Sequence, residues 1–207
     1  MTPTAPQPAP RPSPAAPVWP FVIADARECL AGPALPLLLA DMEARDAAGR
    51  AKYGVPLTAG NGRDHLVDLY QEVLDGIAYA RGEMAEGDPS GEAAASYPVL
   101  LERALAVRAA LDRRERARRI TVEALLDAEA RMPGGAWSDE HAASLLAHPL
   151  IDTGLDSLAA VEVVMEIEEA LEIDTITIPD ADLQACITVG DLARAAERAM
   201  AGKARAT

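Results

Sequence analysis

Between Ser157 and Glu172 two kinds of residue alternate at helical spacing, and this pattern restricts what the chain can become. Leu158, Val161, Val164, Met165 and Leu171 fall on one stripe. Glu162, Glu166, Glu169 and Glu172 fall on the other side as a dense anionic face. An amphipathic helix of this kind buries its apolar stripe against other elements. Aromatic residues make up only 3% of the chain, so those elements must supply an aliphatic core of Leu, Val, Ile and Ala. That composition suits a helix bundle, and the expected class is all-α. Ser157 follows a short loop, residues 151–156, and stands where a serine is favoured as a helix cap. A helix start offers free backbone N–H groups and the positive end of a dipole. A phosphodiester built on the Ser157 hydroxyl would therefore be well placed.

The surrounding residues form a series of motifs. Leu155-Asp156-Ser157-Leu158 is followed by Val161-Glu162-Val163-Val164-Met165 and then Glu168-Glu169. Further on come Ile178-Pro179-Asp180 and Ile187-Thr188-Val189. In this order and spacing the stretch from about 120 to 200 resembles the acyl carrier protein family. The resemblance implies a four-helix bundle with 4'-phosphopantetheine attached to Ser157, an attachment point and not a catalytic nucleophile. It implies that Asp156 flanks the cofactor phosphates held by a phosphopantetheinyl transferase. It also implies that Glu162, Glu166 and Glu169 guide docking on that transferase and on acyl- or aminoacyl-loading enzymes. Residues 171–178 make a connection a few residues longer than the family's usual one.

The formal charge of -14 is almost all carried by residues 120–200. An acidic half of this kind excludes nucleic acid as its partner and favours basic protein surfaces. Cys29 and Cys186 are far apart and show no disulfide or metal spacing, which fits a reducing cytoplasm. No apolar run reaches membrane-spanning length, and the N-terminus lacks the basic start and apolar centre of a signal peptide.

Residues 1–20 contain eight prolines and read as a disordered or polyproline-like tail. Helical patterning is expected over residues 35–52, 64–84 and 98–119, with Pro98 in a permitted first turn. These helices make an N-terminal domain over 34–119. The carrier part, 120–201, has helices expected over 120–132, 157–172, 180–185 and 189–201. The basic run from Arg113 to Arg119 reads first as a solvated helix C-terminus, and second as an intramolecular dock for the acidic carrier.

The first two helices carry paired acids. Glu43 and Asp46 are three apart, as are Glu72 and Asp75, so each pair shares a helix face. If the helices pack antiparallel, four carboxylates converge, and their repulsion calls for a cation such as Mg²⁺. Solvated helix faces also carry acids at such spacings. Lys52, Tyr53, Asn61 and Arg63 in the intervening loop could supply cations, a stacking ring and turns for phosphate. The arrangement is similar to MazG-like all-α nucleoside triphosphate pyrophosphohydrolases over about residues 34–118, with Glu43-x-x-Asp46 and Glu72-x-x-Asp75 in place of the paired-acid motifs. That resemblance implies Mg²⁺-dependent hydrolysis of a nucleotide. The alternative makes these helices a docking or homo-oligomerisation module.

Overall fold

A computed structural model describes residues 3–130, 144–153, 157–171 and 178–206. It divides into two compact units, Met1–Ala104 and Leu105–Thr207. The described residues contain helices and turns, and the expectation of an all-α chain holds.

In the first unit α1 (Trp19–Cys29) packs on α2 (Leu35–Tyr53). The latter ends at Gly54, whose φ of 72° is the left-handed geometry that glycine adopts freely; its N–H closes on the Arg50 carbonyl. Helix α3 (His65–Glu86) starts at Asp64, whose side chain accepts from the backbone N–H groups of Leu66 and Val67. Both helices lie close to the expected bounds, whereas α1 carried no signal that was read in the sequence.

The proline-rich segment is not a disordered tail in this structure. It lies as a strap across the α2–α3 loop. The N–H of Val18 donates to the Leu57 carbonyl and that of Arg11 to the Asn61 carbonyl, with Pro17 bridging Thr58. Ser13 Oγ donates to the Ala59 carbonyl at 2.6 Å, and Gln71 Nε2 donates to the carbonyls of Pro3 and Ala5. Proline cannot donate, so the strap is held mainly through its carbonyls and its few non-proline residues.

Helix α4 (Glu92–Ala130) departs most from expectation. It starts six residues before Pro98 because Asp88 and Ser90 cap it. The Ala94 N–H donates to Asp88 Oδ2 at 2.8 Å and the Glu92 N–H to Ser90 Oγ. Pro98 is accommodated inside the helix. No break separates residues 119 and 120: the helix runs on through the β-branched Ile120, Thr121 and Val122, and the burial of Ile120 and Thr121 outweighs their weaker helix propensity. The unit boundary falls within this helix, at Ala104 and Leu105.

In the second unit the buried positions of α4 change phase. Val107 and Leu111 would continue at Arg114 and Arg118; burial resumes instead at Ala117, Ile120, Ala124 and Ala128. These pack with residues of α5 (Ser157–Ala170) and α7 (Val189–Ala206), including Val163, Ile167, Leu192, Ala195 and Ala196. The short α6 (Asp180–Gln184) is tied to α7 by Arg198, which donates to Asp182 Oδ2 at 3.1 Å. The basic run is thus mid-helix and not a helix end. One member does touch the carrier part: Arg116 Nη2 donates to the Ala170 carbonyl at 3.2 Å, where a cation suits the end of α5.

Candidate functional site

Ser157 is the first residue of α5, so its position at a helix start is as expected. Asp156, with Gly154 and Leu155, lies outside the described residues, as do Glu172 and His141. A turn of 3₁₀ helix, Leu150–Thr153, leads toward the site, and Thr153 closes it by donating its hydroxyl to the Leu150 carbonyl at 2.6 Å.

Beside α5 lies a cavity of about 510 Å³. From α5 it is lined by Ala160, Val161, Val164, Met165 and Glu168. These stand three, four, seven, eight and eleven positions after Ser157, the spacing of one helix face. Leu125, Leu150, Ile178, Leu183 and Cys186 make much of the remaining, mainly apolar wall, to which Thr153 and Gln184 add polar groups. Burial pushes the Cys186 thiol up, with Asp191 adding to the effect. It donates to the Asp182 carbonyl at 3.1 Å and is a lining group in its protonated form.

The stripe on α5 is rotated from the one expected. Val163, Ile167 and Leu171 are buried, Val164 is half-buried, and Val161 and Met165 are 55% and 61% exposed. Glu162 and Glu169 are exposed; Glu166 is half-buried. The outward surface therefore mixes acids with two apolar side chains. Glu168, which sequence reasoning placed only in a motif, has a structural task. Its Oε1 accepts the N–H of buried Ile178 at 2.6 Å and fixes the chain where it returns after residues 172–177. At the start of α7, Asp191 accepts from the N–H groups of Thr188 and Ile187, from the Thr188 hydroxyl and from Arg194. Those bonds, led by the Thr188 N–H, hold its carboxyl well below the usual carboxylate range. The Thr188-x-x-Asp191 spacing is a capping box that was legible in the sequence.

Residues 141–196 match the family described as a phosphopantetheine attachment site. The C-terminal part is an acyl carrier domain. No curated protein and no solved structure matches the chain. The prosthetic group of the domain is 4'-phosphopantetheine, and the residues present fit it. Ser157 opens a helix of 14 residues whose N-terminus favours a phosphate, next to a cavity able to take an apolar substituent. Carrier domains work with phosphopantetheinyl transferases and loading enzymes. No helix among the described residues is long and apolar enough to cross a membrane.

The N-terminal acids do not converge. Among the described residues no three Asp, Glu, His or Cys side chains are grouped to hold a metal ion. Glu43 is turned toward α1, with its carboxylate 3.5 Å from Arg27, and Asp46 pairs with Arg50 of its own helix at 2.9 Å. Asp46 and Glu72 do line one cavity of about 450 Å³, with Arg45, Arg50, Lys52, Tyr53, Arg63 and Trp19; neither Glu43 nor Asp75 does. The Lys52 ammonium lies over the Tyr53 ring, 4.9 Å from its centroid. Arg63 is held by Asp68 and by the Pro8 carbonyl. Asn61 is fully buried as a loop staple: its Oδ1 accepts the Arg63 N–H at 3.0 Å and its carbonyl accepts from Arg11.

Proposed function

We propose that this chain carries an aliphatic acyl group as a thioester on phosphopantetheine at Ser157, and that aminoacyl cargo is disfavoured. The observation that carries the reading is the mainly apolar cavity along α5, the helix that Ser157 opens. Its volume falls in the range of small-molecule sites, about 300–1,000 Å³. The attached group supplies the terminal thiol. The protein positions the hydroxyl at a helix start, receives the apolar chain between α5, α6 and the Leu150 turn, and keeps water from it. Sequestration is worth about 0.8 kcal/mol per methylene buried, whereas a charged amino group would meet a mainly aliphatic wall whose one carboxylate, Glu168, already accepts the Ile178 N–H. Exposed Glu162 and Glu169, with Val161 and Met165 between them, offer loading enzymes an acidic and apolar surface.

The test is enzymatic loading with coenzyme A and with octanoyl- and aminoacyl-coenzyme A, followed by intact mass and thermal melting. One group should add to the wild type and none to Ser157→Ala. The octanoyl form should melt above the unacylated form, and the aminoacyl form should not. Loading of Ser157→Ala overturns the attachment site; equal melting of all three forms overturns the cargo assignment.

A second reading for the N-terminal unit rests on the cavity that gathers Lys52, Tyr53 and Arg63 with Arg45, Arg50 and Trp19. Cations beside aromatic walls suit an anionic ligand with a planar ring, a nucleotide. The three carboxylates that line the same cavity, Asp46, Asp68 and Glu72, form no group able to hold a metal ion, and Asp46 and Asp68 are paired with Arg50 and Arg63, so binding is expected to be independent of Mg²⁺. Calorimetric titration with a nucleoside triphosphate, with and without Mg²⁺, tests it: no heat of binding in either condition removes the reading.

A further inference from the structure

The proline-rich strap takes up hydrogen-bond donors that belong to the cavity of the N-terminal unit. Arg63 and Gln71 both line that cavity, and both donate to main-chain carbonyls of the strap. Arg63 Nη1 donates to Pro8 at 2.8 Å, and Gln71 Nε2 to Pro3 at 2.9 Å and to Ala5 at 2.8 Å. Asp68 takes the other two nitrogens of Arg63, so the strap holds the side of the guanidinium that a ligand would use. Pro10 forms part of the cavity wall. The seat under the strap is shaped for close approach: Gly60 and Gly62 have φ of 67° and 84°, and a Cβ on Gly62 would stand 2.8 Å from Arg11 Nε. The seat is also imperfect. Thr58 and Asn61, both joined to the strap through their backbones, are buried, and among the described residues Thr58 Oγ1 and Asn61 Nδ2 have no hydrogen-bond partner. Buried polar atoms without partners oppose the closed arrangement, and water would satisfy them once the strap lifted.

We infer that the strap is a latch over this cavity: its carbonyls compete with an anionic ligand for Arg63 and Gln71, and binding of the ligand lifts it. The inference rests on the nucleotide reading of the cavity and adds its regulation. A proline-rich segment suits the task. It brings acceptors and few donors, and it stays extended when free, so it can let go and return with little change of order. The affinity shown by the intact chain is then that of the open form reduced by the fraction that is open. Loosening the strap without touching the cavity should tighten binding. Gln7 and Ser13 allow this, because they hold the strap and neither lines the cavity. Gln7 bonds the main chain of Asp64, and Ser13 the Ala59 carbonyl.

The test compares the full-length wild type with a full-length Gln7→Ala, Ser13→Ala double variant. Calorimetric titration with ATP gives the affinity, and amide hydrogen exchange at Arg11 and Val18, whose N–H groups bond the Asn61 and Leu57 carbonyls, reports the strap. The double variant should bind ATP about tenfold more tightly, the effect of two lost hydrogen bonds on the open fraction. Exchange at both amides should be faster in the double variant, and faster in the wild type once ATP is added. Equal affinity in the two proteins overturns the latch and leaves the nucleotide reading in place. Tighter binding by the wild type overturns it as well, since the strap would then complete the site. Unchanged exchange in both comparisons marks a fixed segment and also overturns it. Absence of binding to either protein removes the nucleotide reading together with the latch.

Discussion

Gly190 lies in the first turn of α7, where an added Cβ would stand 2.6 Å from the Leu146 carbonyl oxygen. That same oxygen accepts the Gly190 N–H at 2.8 Å. The glycine is needed for space. Gly190→Ala gains helix propensity, about 1 kcal/mol, and forces backbone apart, at about 1–3 kcal/mol for an overpacked site. The melting temperature of the carrier domain should therefore fall by several degrees; an unchanged value would show that the 144–150 segment yields at no cost. Its neighbour Asp191 governs acid behaviour. Its folded-state pKa is depressed by the Thr188 N–H and hydroxyl and by Arg194, so its contribution is present above the ordinary carboxylate pKa, about 3.9. That contribution is lost as pH falls through the lower folded value. Asp191→Asn should cost stability at pH 7 and flatten its decline below about pH 4. Parallel pH–stability curves for the two proteins would refute this. At this scale the capping box was readable from two residues in sequence, while the need for a glycine came from a distant carbonyl that no local pattern announces.

Along α5 the glutamates divide by what they touch. Glu168 holds the buried Ile178 N–H, so Glu168→Ala leaves a buried donor without its acceptor, a loss of about 1–3 kcal/mol. Glu162 and Glu169 are exposed, and exposed charges add little to stability. Replacing both by Gln should leave the melting temperature nearly unchanged and slow loading by the transferase, most clearly at low salt. Equal loading rates at all ionic strengths would contradict the docking role, and an unshifted melting temperature in Glu168→Ala would contradict the clasp. Sequence periodicity located this helix and its start. It missed the phase because Val161, Val163, Val164, Met165 and Ile167 are all apolar, and packing against α4 and α7 selects Val163 and Ile167. The strap was missed for the opposite reason. Its prolines show no period, and its order comes from hydrogen bonds to residues some fifty positions away, such as Ser13 to Ala59.

For the molecule as a whole, the order of the parts was legible and their boundary was not. Ser157, the acidic helix and the two later motifs lie together in sequence and identify the carrier domain. The four N-terminal acids were expected to meet because helix spacing aligns each pair. Spacing within a helix says nothing of the rotation between two helices, and Glu43 faces Arg27 instead. The boundary was placed at residues 119 and 120, where the charge changes. Contacts place it at Ala104 and Leu105, inside one continuous helix. A fragment beginning at Leu105 keeps Val107, Leu111 and Ala117, each nearly or fully buried, and the Arg116 contact with the Ala170 carbonyl. A fragment beginning at Ile120 loses all of them and starts the helix inside the core. Loss of the buried Ala117 is an effect of about 1 kcal/mol, and loss of the exposed cation at the helix end adds about 0.3–1 kcal/mol. The longer fragment should therefore unfold cooperatively at a clearly higher temperature, and both should accept phosphopantetheine where folded. Equal melting temperatures would mean that residues 105–119 are no part of the carrier domain and would return the boundary to the change in charge.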